Sequence, residues 1–261
     1  AGVSAILEGV ASLLESGATH PTLELLFTTG EEHFCVGAKA FDAQRLQSKT
    51  AYVMDLSGPV GDCAVAAPTL ITFSAEVVGK AAHAGFAPED GVHAIQVAAA
   101  AVANLPSGRW GDVTVNVGTI SGGRATNIVP DSCTVTGEIR ALCHQDALDR
   151  LNEIHSEFVE QAQAVDAKLN FNHTIHITGY RVDTDAPVAQ RFRRACAAVG
   201  VAPRFTDTYG GSDCNILSAH GIQGLVVATA MNNCHAVNEY TTVEELCKAA
   251  RLAQALMEKQ D

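Results

Sequence analysis

Two adjacent acids, Glu31 and Glu32, follow an apolar run from Leu23 to Phe27 and the turn Thr28-Thr29-Gly30. Neighbouring carboxylates repel, and crowding them costs free energy unless a cation or a proton compensates. In such a pair one carboxylate can hold a metal while its neighbour handles protons on the water that the metal activates. Taken alone, the pair reads more simply as two surface glutamates on a solvated loop. Two distant residues shift that reading. Asp55 ends an apolar strand and is followed by Ser57-Gly58-Pro59, and His235 follows the strand Leu225-Val226-Val227 in the loop Ala230-Met231-Asn232-Asn233-Cys234. Ligands of open α/β sheets gather outside the carboxyl ends of strands, so Glu31, Glu32, Asp55 and His235 are expected at one sheet edge. Carboxylates and an imidazole suit zinc, cobalt or manganese. Cys234 beside His235 reads as a small buried thiol.

A second set of polar residues lies in the middle of the chain. His83 sits in the glycine-bounded loop Gly79-Lys80-Ala81-Ala82-His83-Ala84-Gly85, where it is either an ordinary loop histidine or a donor to an oxyanion across a cleft. Asn127 lies in the loop Gly122 to Asn127 between two strands. Arg140 ends the strand from Thr134, as a surface arginine or as a bidentate clamp for a substrate carboxylate. Gly210-Gly211-Ser212-Asp213 is a turn opening a helix, able to present backbone amides to an anion. Ser212 lacks the G-x-S-x-G surroundings of a nucleophile. His173 and His176, three apart on a strand, point to opposite faces and are poor joint ligands.

The elements that must carry these residues alternate at both ends of the chain. Helices are expected over about 2–15 and 36–46 and strands over about 22–28 and 51–55, the pattern of a mostly parallel sheet flanked by helices. The helix near the start has the apolar stripe Val3, Ile6, Leu7, Val10, Leu13 and Leu14. Gly58-Pro59, Gly61 and Pro68 mark a break. From about 69 to 178 the order becomes strand, helix, strand, strand, helix, strand, the ferredoxin-like α+β arrangement. Its strands are expected near 70–79, 112–120, 132–141 and 168–178, its helices near 89–104 and 144–164. After Gly179-Tyr180 helices over about 186–199, 213–219 and 242–258 alternate with strands over about 203–207 and 223–229. Thr241 and Thr242, each three residues before a glutamate, both offer a capping box to the last helix. The fold class expected is therefore α/β: a catalytic domain of residues 1–67 and 182–261 with a mostly parallel sheet, and an inserted ferredoxin-like lid domain of residues 68–181. A cleft between two such domains is a common ligand site, and paired linkers allow hinge closure.

Composition excludes several classes. The 261 residues are 47% hydrophobic, enough for a sizeable core, and carry a net charge of −12, which argues against nucleic acid or an anionic membrane as partner. No uninterrupted apolar stretch reaches membrane-spanning length. None of the eight cysteines forms a C-x-x-C pair, and the set reads as reduced thiols of a cytoplasmic protein. The chain opens without an initiating Met, running from Ala1-Gly2-Val3 directly into the first helix, so part of the protein is expected to precede it.

The segments FTTGEEHFCVGAKAFD, YVMDLSGPVG, GKAAHAGFAPEDGVHAI, GGRATNIVPD, GEIRAL, YGGSDCNIL and NNCHAVNEYTTVEEL together resemble the di-zinc metallopeptidase family that includes peptidase T, carboxypeptidase G and acetylornithine deacetylase. They span nearly the whole chain in the family's order, and the lid segment and tail are most similar to the peptidase T-like branch. The resemblance implies Glu31 as general base, Glu32 and His235 as ligands of one zinc, and Asp55 as a ligand of the other. It implies that His83, Asn127 and Arg140 contact the substrate from the lid. It also implies two Zn2+ per intact subunit, with Co2+ or Mn2+ as substitutes, and homodimerisation through the inserted domain. The activity implied is tripeptidase- or aminopeptidase-like hydrolysis of amide bonds in short peptides.

The family pattern begins with a strand bearing His-x-Asp and then an Asp that bridges both metals. In this sequence no strand bearing His-x-Asp precedes the first helix (His144-Gln145-Asp146 lies in the insertion), and the chain starts at the helix that should follow the bridging Asp. Weak metal binding and little hydrolysis are therefore expected of the chain as it stands. Two other functions remain open: an amidase or deacylase of N-acyl amino acids, and a non-catalytic binding protein on the same scaffold.

Overall fold

The computed structural model describes residues 1–259, which fall into two compact units, one formed by Ala1–Ala67 with the chain from Tyr180 onward, the other by Pro68–Gly179. Strands and helices are numbered along the whole chain.

The first unit is built on a five-stranded sheet. Its longest pairing is parallel, between β1 (Thr50–Ser57) and β10 (Gln223–Met231). β10 is antiparallel to β2 (Asp62–Ala67), which pairs in parallel with β9 (Arg204–Asp207) and antiparallel with β8 (Tyr180–Arg181). Every residue of β2 is buried. Sequence periodicity does not reveal this strand, because six small residues in the run Asp62-Cys63-Ala64-Val65-Ala66-Ala67 show no alternation and sit between Gly/Pro breaks. Tyr180 and Arg181, expected to close the insertion, instead belong to this unit, since they hydrogen-bond in register with Ala67 and Ala66.

Helices α1 (Gly2–Ser16), α5 (Pro187–Ala198) and α7 (Val243–Met257) supply the rest of the core, with Leu13, Phe192 and Leu252 fully or almost fully buried. α1 buries only part of its apolar stripe, Leu13 fully and Ile6 partly. It packs through Ala5, Gly9 and Leu13, spaced four apart, while Val3, Leu7 and Leu14 are exposed. Small residues on that face let α1 approach α7 closely. Thr242 caps α7, its hydroxyl accepting from Glu245 N–H at 3.2 Å, which decides between the two candidate caps.

The strand expected over 22–28 is absent: residues 18–28 form no ladder, and Leu25 and Phe27 are 45% and 47% exposed. An apolar run identifies a segment suited to a sheet, and only a neighbouring strand makes it one. The expected helix 36–46 is shorter, α2 (Val36–Ala40) followed by a 3-10 turn at Ala43–Arg45.

The second unit has the expected ferredoxin-like order. Its antiparallel sheet runs β4 (Gly108–Trp110), β5 (Val113–Gly122), β6 (Ser132–Ala141), β3 (Thr69–Val78), β7 (Lys168–Ile177). Helices α3 (Ala94–Asn104) and α4 (His144–Gln163) cover one face. α4 buries Leu151, Ile154, Phe158 and Ala162, the predicted stripe, against a core that includes Phe73, Ala75, Val135 and Ile139. Gly137 in β6 is required by close approach: a Cβ there would lie 2.4 Å from the Phe73 ring. Among the described residues no helix is long and apolar enough to cross a membrane.

Candidate metal centre

Glu31 and Glu32 lie on a 3-10 turn, Glu31–His33, folded by a run of left-handed backbone. Gly30 enters it at φ 68°, and Phe34 and Cys35 leave it at φ 59° and 57°. Left-handed backbone at consecutive bulky residues is strained and persists only where the surroundings impose it. Here Cys35 N–H donates to Glu31 O at 2.8 Å, and Gly37 N–H donates to Thr29 O at 3.0 Å. A Cβ on Gly37 would come within 2.2 Å of that Thr29 oxygen, so only glycine lets α2 close onto the turn.

His235 follows β10 in a loop with the same character, with Asn233 and His235 at positive φ, as is Ala230 near the end of β10. Its Nδ1 lies 3.5 Å from Glu32 Oε1, with the two side chains 73% and 69% exposed. Such an exposed pair contributes little to stability. Asp55 sits in β1 where the register with β10 slips, between Val53 and Leu56. A bulge of this kind re-aims a side chain. The strand continues past Asp55 to Ser57, two residues beyond the expected end.

The electrostatics draw these acids together and add one more. Glu31 is pushed up to about 7, first by burial, then by the charges of Asp55, Glu32 and Asp213. Asp55 retains solvent contact, yet its carboxyl is held above the usual range by desolvation and then by Asp213 and Glu32, with His235 partly opposing. Asp213 opens α6 (Asp213–Ala219), whose N-cap Ser212 forms a capping box with Asn215. The Thr28 hydroxyl donates to Asp213 Oδ2, while Oδ1 is buried without a hydrogen-bond partner among the described residues. Cys35, almost fully buried, is pushed up to about 12 by burial and then by the charge of Asp213. Sequence reading treated Gly210-Gly211-Ser212-Asp213 as a backbone turn and missed the Asp213 carboxylate. The available signal was an acid at the first position of a capped helix in the same α/β unit as the Glu31–Glu32 pair.

Two kinds of donor, carboxylate and imidazole, are ones that a divalent cation accepts, and the buried Asp213 Oδ1, without a hydrogen-bond partner among the described residues, and the raised Glu31 both fit a place where positive charge is wanted. The geometry supplies a pair, Glu32 with His235, and among the described residues no three His, Cys, Asp or Glu gather closely enough to enclose a cation. All eight cysteines are free thiols, and Cys234 is half-buried.

In the second unit, two of the three expected substrate residues are neighbours. Ala84 N–H donates to Asn127 O at 3.0 Å, and His83 bridges to Ile128, so the loops carrying His83 and Asn127 are laced together. The His83 ring packs on Phe86 with centroids 4.3 Å apart. Arg140 lies at the other end of the sheet, opposite Leu70 and Thr114, eight residues along β6 from Ser132. That places it roughly 25 Å from the His83–Asn127 loops. Its guanidinium pairs with Glu138 at 2.9 Å.

Comparison with known proteins supplies the family. Residues 65–166 match the M20 peptidase dimerisation domain. The chain is 33% identical over 260 residues to the protein YqjE of Bacillus subtilis (strain 168), covering 99% of this chain and 70% of the relative. The chain belongs to the M20 peptidase family. Within it the chain lies in the peptidase T-like branch. It is 25% identical over 99% of its length to peptidase T of Alkaliphilus oremlandii, and spans 64% of that relative. The aminopeptidase PepT of Bacillus cereus superposes with a TM-score of 0.94 at 35% identity, over 98% of this chain and 69% of the other. A Staphylococcus aureus tripeptidase gives 0.93 at 27% identity, over 97% and 68%. At the level of fold alone, the Bacillus subtilis protein YXEP, described as a dinuclear metal binding peptidase from the M20 family, gives 0.77 at 18% identity, over 97% and 69%.

Proposed function

We propose that this M20 chain hydrolyses amide bonds in short peptides with the help of a divalent cation, Zn2+ or in its place Co2+ or Mn2+. Glu32 and His235 would hold one cation and Asp55 would contribute to a second. The observation that carries the reading is Glu31, held near pH 7 beside the Glu32–His235 pair. A group that titrates there both accepts and returns a proton at physiological pH, which is what amide hydrolysis asks of its base. When bound, the cation supplies Lewis acidity at the scissile carbonyl and at the attacking water. Glu31 takes the proton from that water and passes it to the departing amine nitrogen. Glu32 and His235 stay fixed by the strained loops that carry them.

Similarity to an aminopeptidase and a tripeptidase supports peptides over N-acyl amino acids as substrates. In the inserted unit, the lid, His83 and Asn127 form one polar cluster for the substrate, and Arg140 a separate one. The M20 peptidase dimerisation domain match over residues 65–166 supports a homodimer through this unit. With at most two side-chain donors per cation among the described residues, against the three or four of well-formed zinc sites, low cation affinity and slow turnover follow from this reading. The test is hydrolysis of di- and tripeptides with added Zn2+, Co2+ or Mn2+. Slow, cation-dependent release that disappears in Glu31→Gln is expected. Release that needs no cation, that survives Glu31→Gln, or that never occurs would remove the reading.

A further inference from the structure

We propose that Asp213 is a positioning residue that holds the Glu31–Glu32 turn in its cation-binding shape by gripping the chain on both sides of it. This rests on the proposed cation site and adds a residue to its support.

Thr28 precedes the acid pair by three residues, and its hydroxyl donates to Asp213 Oδ2. Cys35 follows the pair by three residues and is buried, its thiol donating to Glu31 Oε1 at 3.9 Å while the Asp213 carboxylate acts on it electrostatically. The two interactions bracket the stretch in which Gly30, Phe34 and Cys35 take left-handed backbone. The turn's own backbone bonds close it, from Cys35 N–H to Glu31 O and from Val36 N–H to Gly30 O, but residues 18–28 leading into it pair with no strand that would tie it to the rest of the unit. An anchor from elsewhere in the unit is needed, and Asp213 is well placed to provide it. It begins α6, a helix fixed by the Ser212–Asn215 capping box and by burial of Cys214, Asn215, Ile216 and Leu217. The carboxylate is thus mounted on a rigid element, and a charge-assisted hydrogen bond from Thr28 passes that rigidity to the turn. The remaining oxygen, Oδ1, is buried without a hydrogen-bond partner among the described residues, so the residue sits where a negative charge is poorly compensated. Such an arrangement is retained where positioning outweighs its cost.

Two measurements test this on the whole chain. The first needs no cation: iodoacetamide labelling of the native protein in EDTA, with Cys35 followed by peptide mass spectrometry. Asp213→Ala is expected to speed Cys35 labelling about tenfold, the equivalent of losing one charged hydrogen bond. Asp213→Asn, which keeps an oxygen acceptor for the Thr28 hydroxyl but removes the charge that raises the Cys35 thiol, is expected to label faster than wild type and slower than Asp213→Ala, and Thr28→Val, which keeps that charge, to speed labelling through the loosened turn alone. Equal Cys35 rates in wild type and Asp213→Ala would overturn the proposal.

The second is Co2+ affinity from visible absorption. Asp213→Ala and Thr28→Val are expected to weaken binding about tenfold, with Asp213→Asn restoring it. If Asp213→Asn is as weak as Asp213→Ala, the charge matters and the grip does not, and the positioning role fails. If wild type binds no Co2+ while the labelling result holds, the cation reading falls and the grip on the turn stands.

Discussion

Replacing Glu31 by Gln should stabilise the chain at pH 8 in EDTA and leave it unchanged at pH 4. The Glu31 carboxyl is raised from 4.5 to about 7. Its folded-state pKa lies above its unfolded value, so the contribution it makes is fully present below about 4.5 and is lost as pH rises through about 7. At pH 8 the folded wild type therefore holds a carboxylate that is desolvated and then crowded by Asp55, Glu32 and Asp213, and Gln does not. At about 1.36 kcal/mol per pKa unit the full shift corresponds to roughly 3.4 kcal/mol. Glu31 keeps part of its solvent contact, and screening reduces the figure to about 1–2 kcal/mol. For a chain of this size that is about 2–8 °C in Tm. Thermal melts by circular dichroism at pH 4 and pH 8 measure it. A Glu31→Gln protein that melts at or below wild type at pH 8, or that gains as much at pH 4, would refute the crowding of acids on which the site depends.

Three further substitutions probe the frame. Gly137→Ala puts a Cβ 2.4 Å from the Phe73 ring and 2.5 Å from the Asn116 carbonyl, and should cost about 1–3 kcal/mol in chemical unfolding of the inserted unit. Phe158→Ala empties a fully buried position between α4 and the sheet and should cost about 3–5 kcal/mol by the same measurement. Thr242→Ala removes the hydroxyl that accepts from Glu245 N–H and should lower stability by about 1 kcal/mol, read as a fall in Tm.

The inserted unit was legible because its elements obey simple periods. β3 alternates along its length and α4 carries one stripe, each from its own residues. The first unit was less so, for three separate reasons. β2 is buried on both faces and made of small residues, so neither alternation nor bulk announces it. Residues 22–28 have the composition of a strand, but pairing is a property of neighbours that composition does not record. The stripe on α1 pointed to a buried face, yet contact with α7 is set by the small residues Ala5 and Gly9, which pattern reading discounts.

At the site, the adjacency of Glu31 and Glu32 and the positions of Asp55 and His235 after strands made four residues readable. Thr28, Cys35 and Asp213 were not, because their roles depend on a contact across 185 positions of sequence. Arg140 shows the converse: its type suggested a clamp, and only the strand register reveals its distance from His83 and Asn127.

The most direct measurement is isothermal titration calorimetry of Zn2+ into the metal-free chain, comparing wild type with Glu32→Gln and His235→Asn. Saturable binding by wild type, weakened about tenfold or more in each variant with Tm in EDTA unchanged, is the expected result. No saturable binding, or an affinity indifferent to both substitutions, would contradict the assignment of Glu32 and His235 as the cation's ligands.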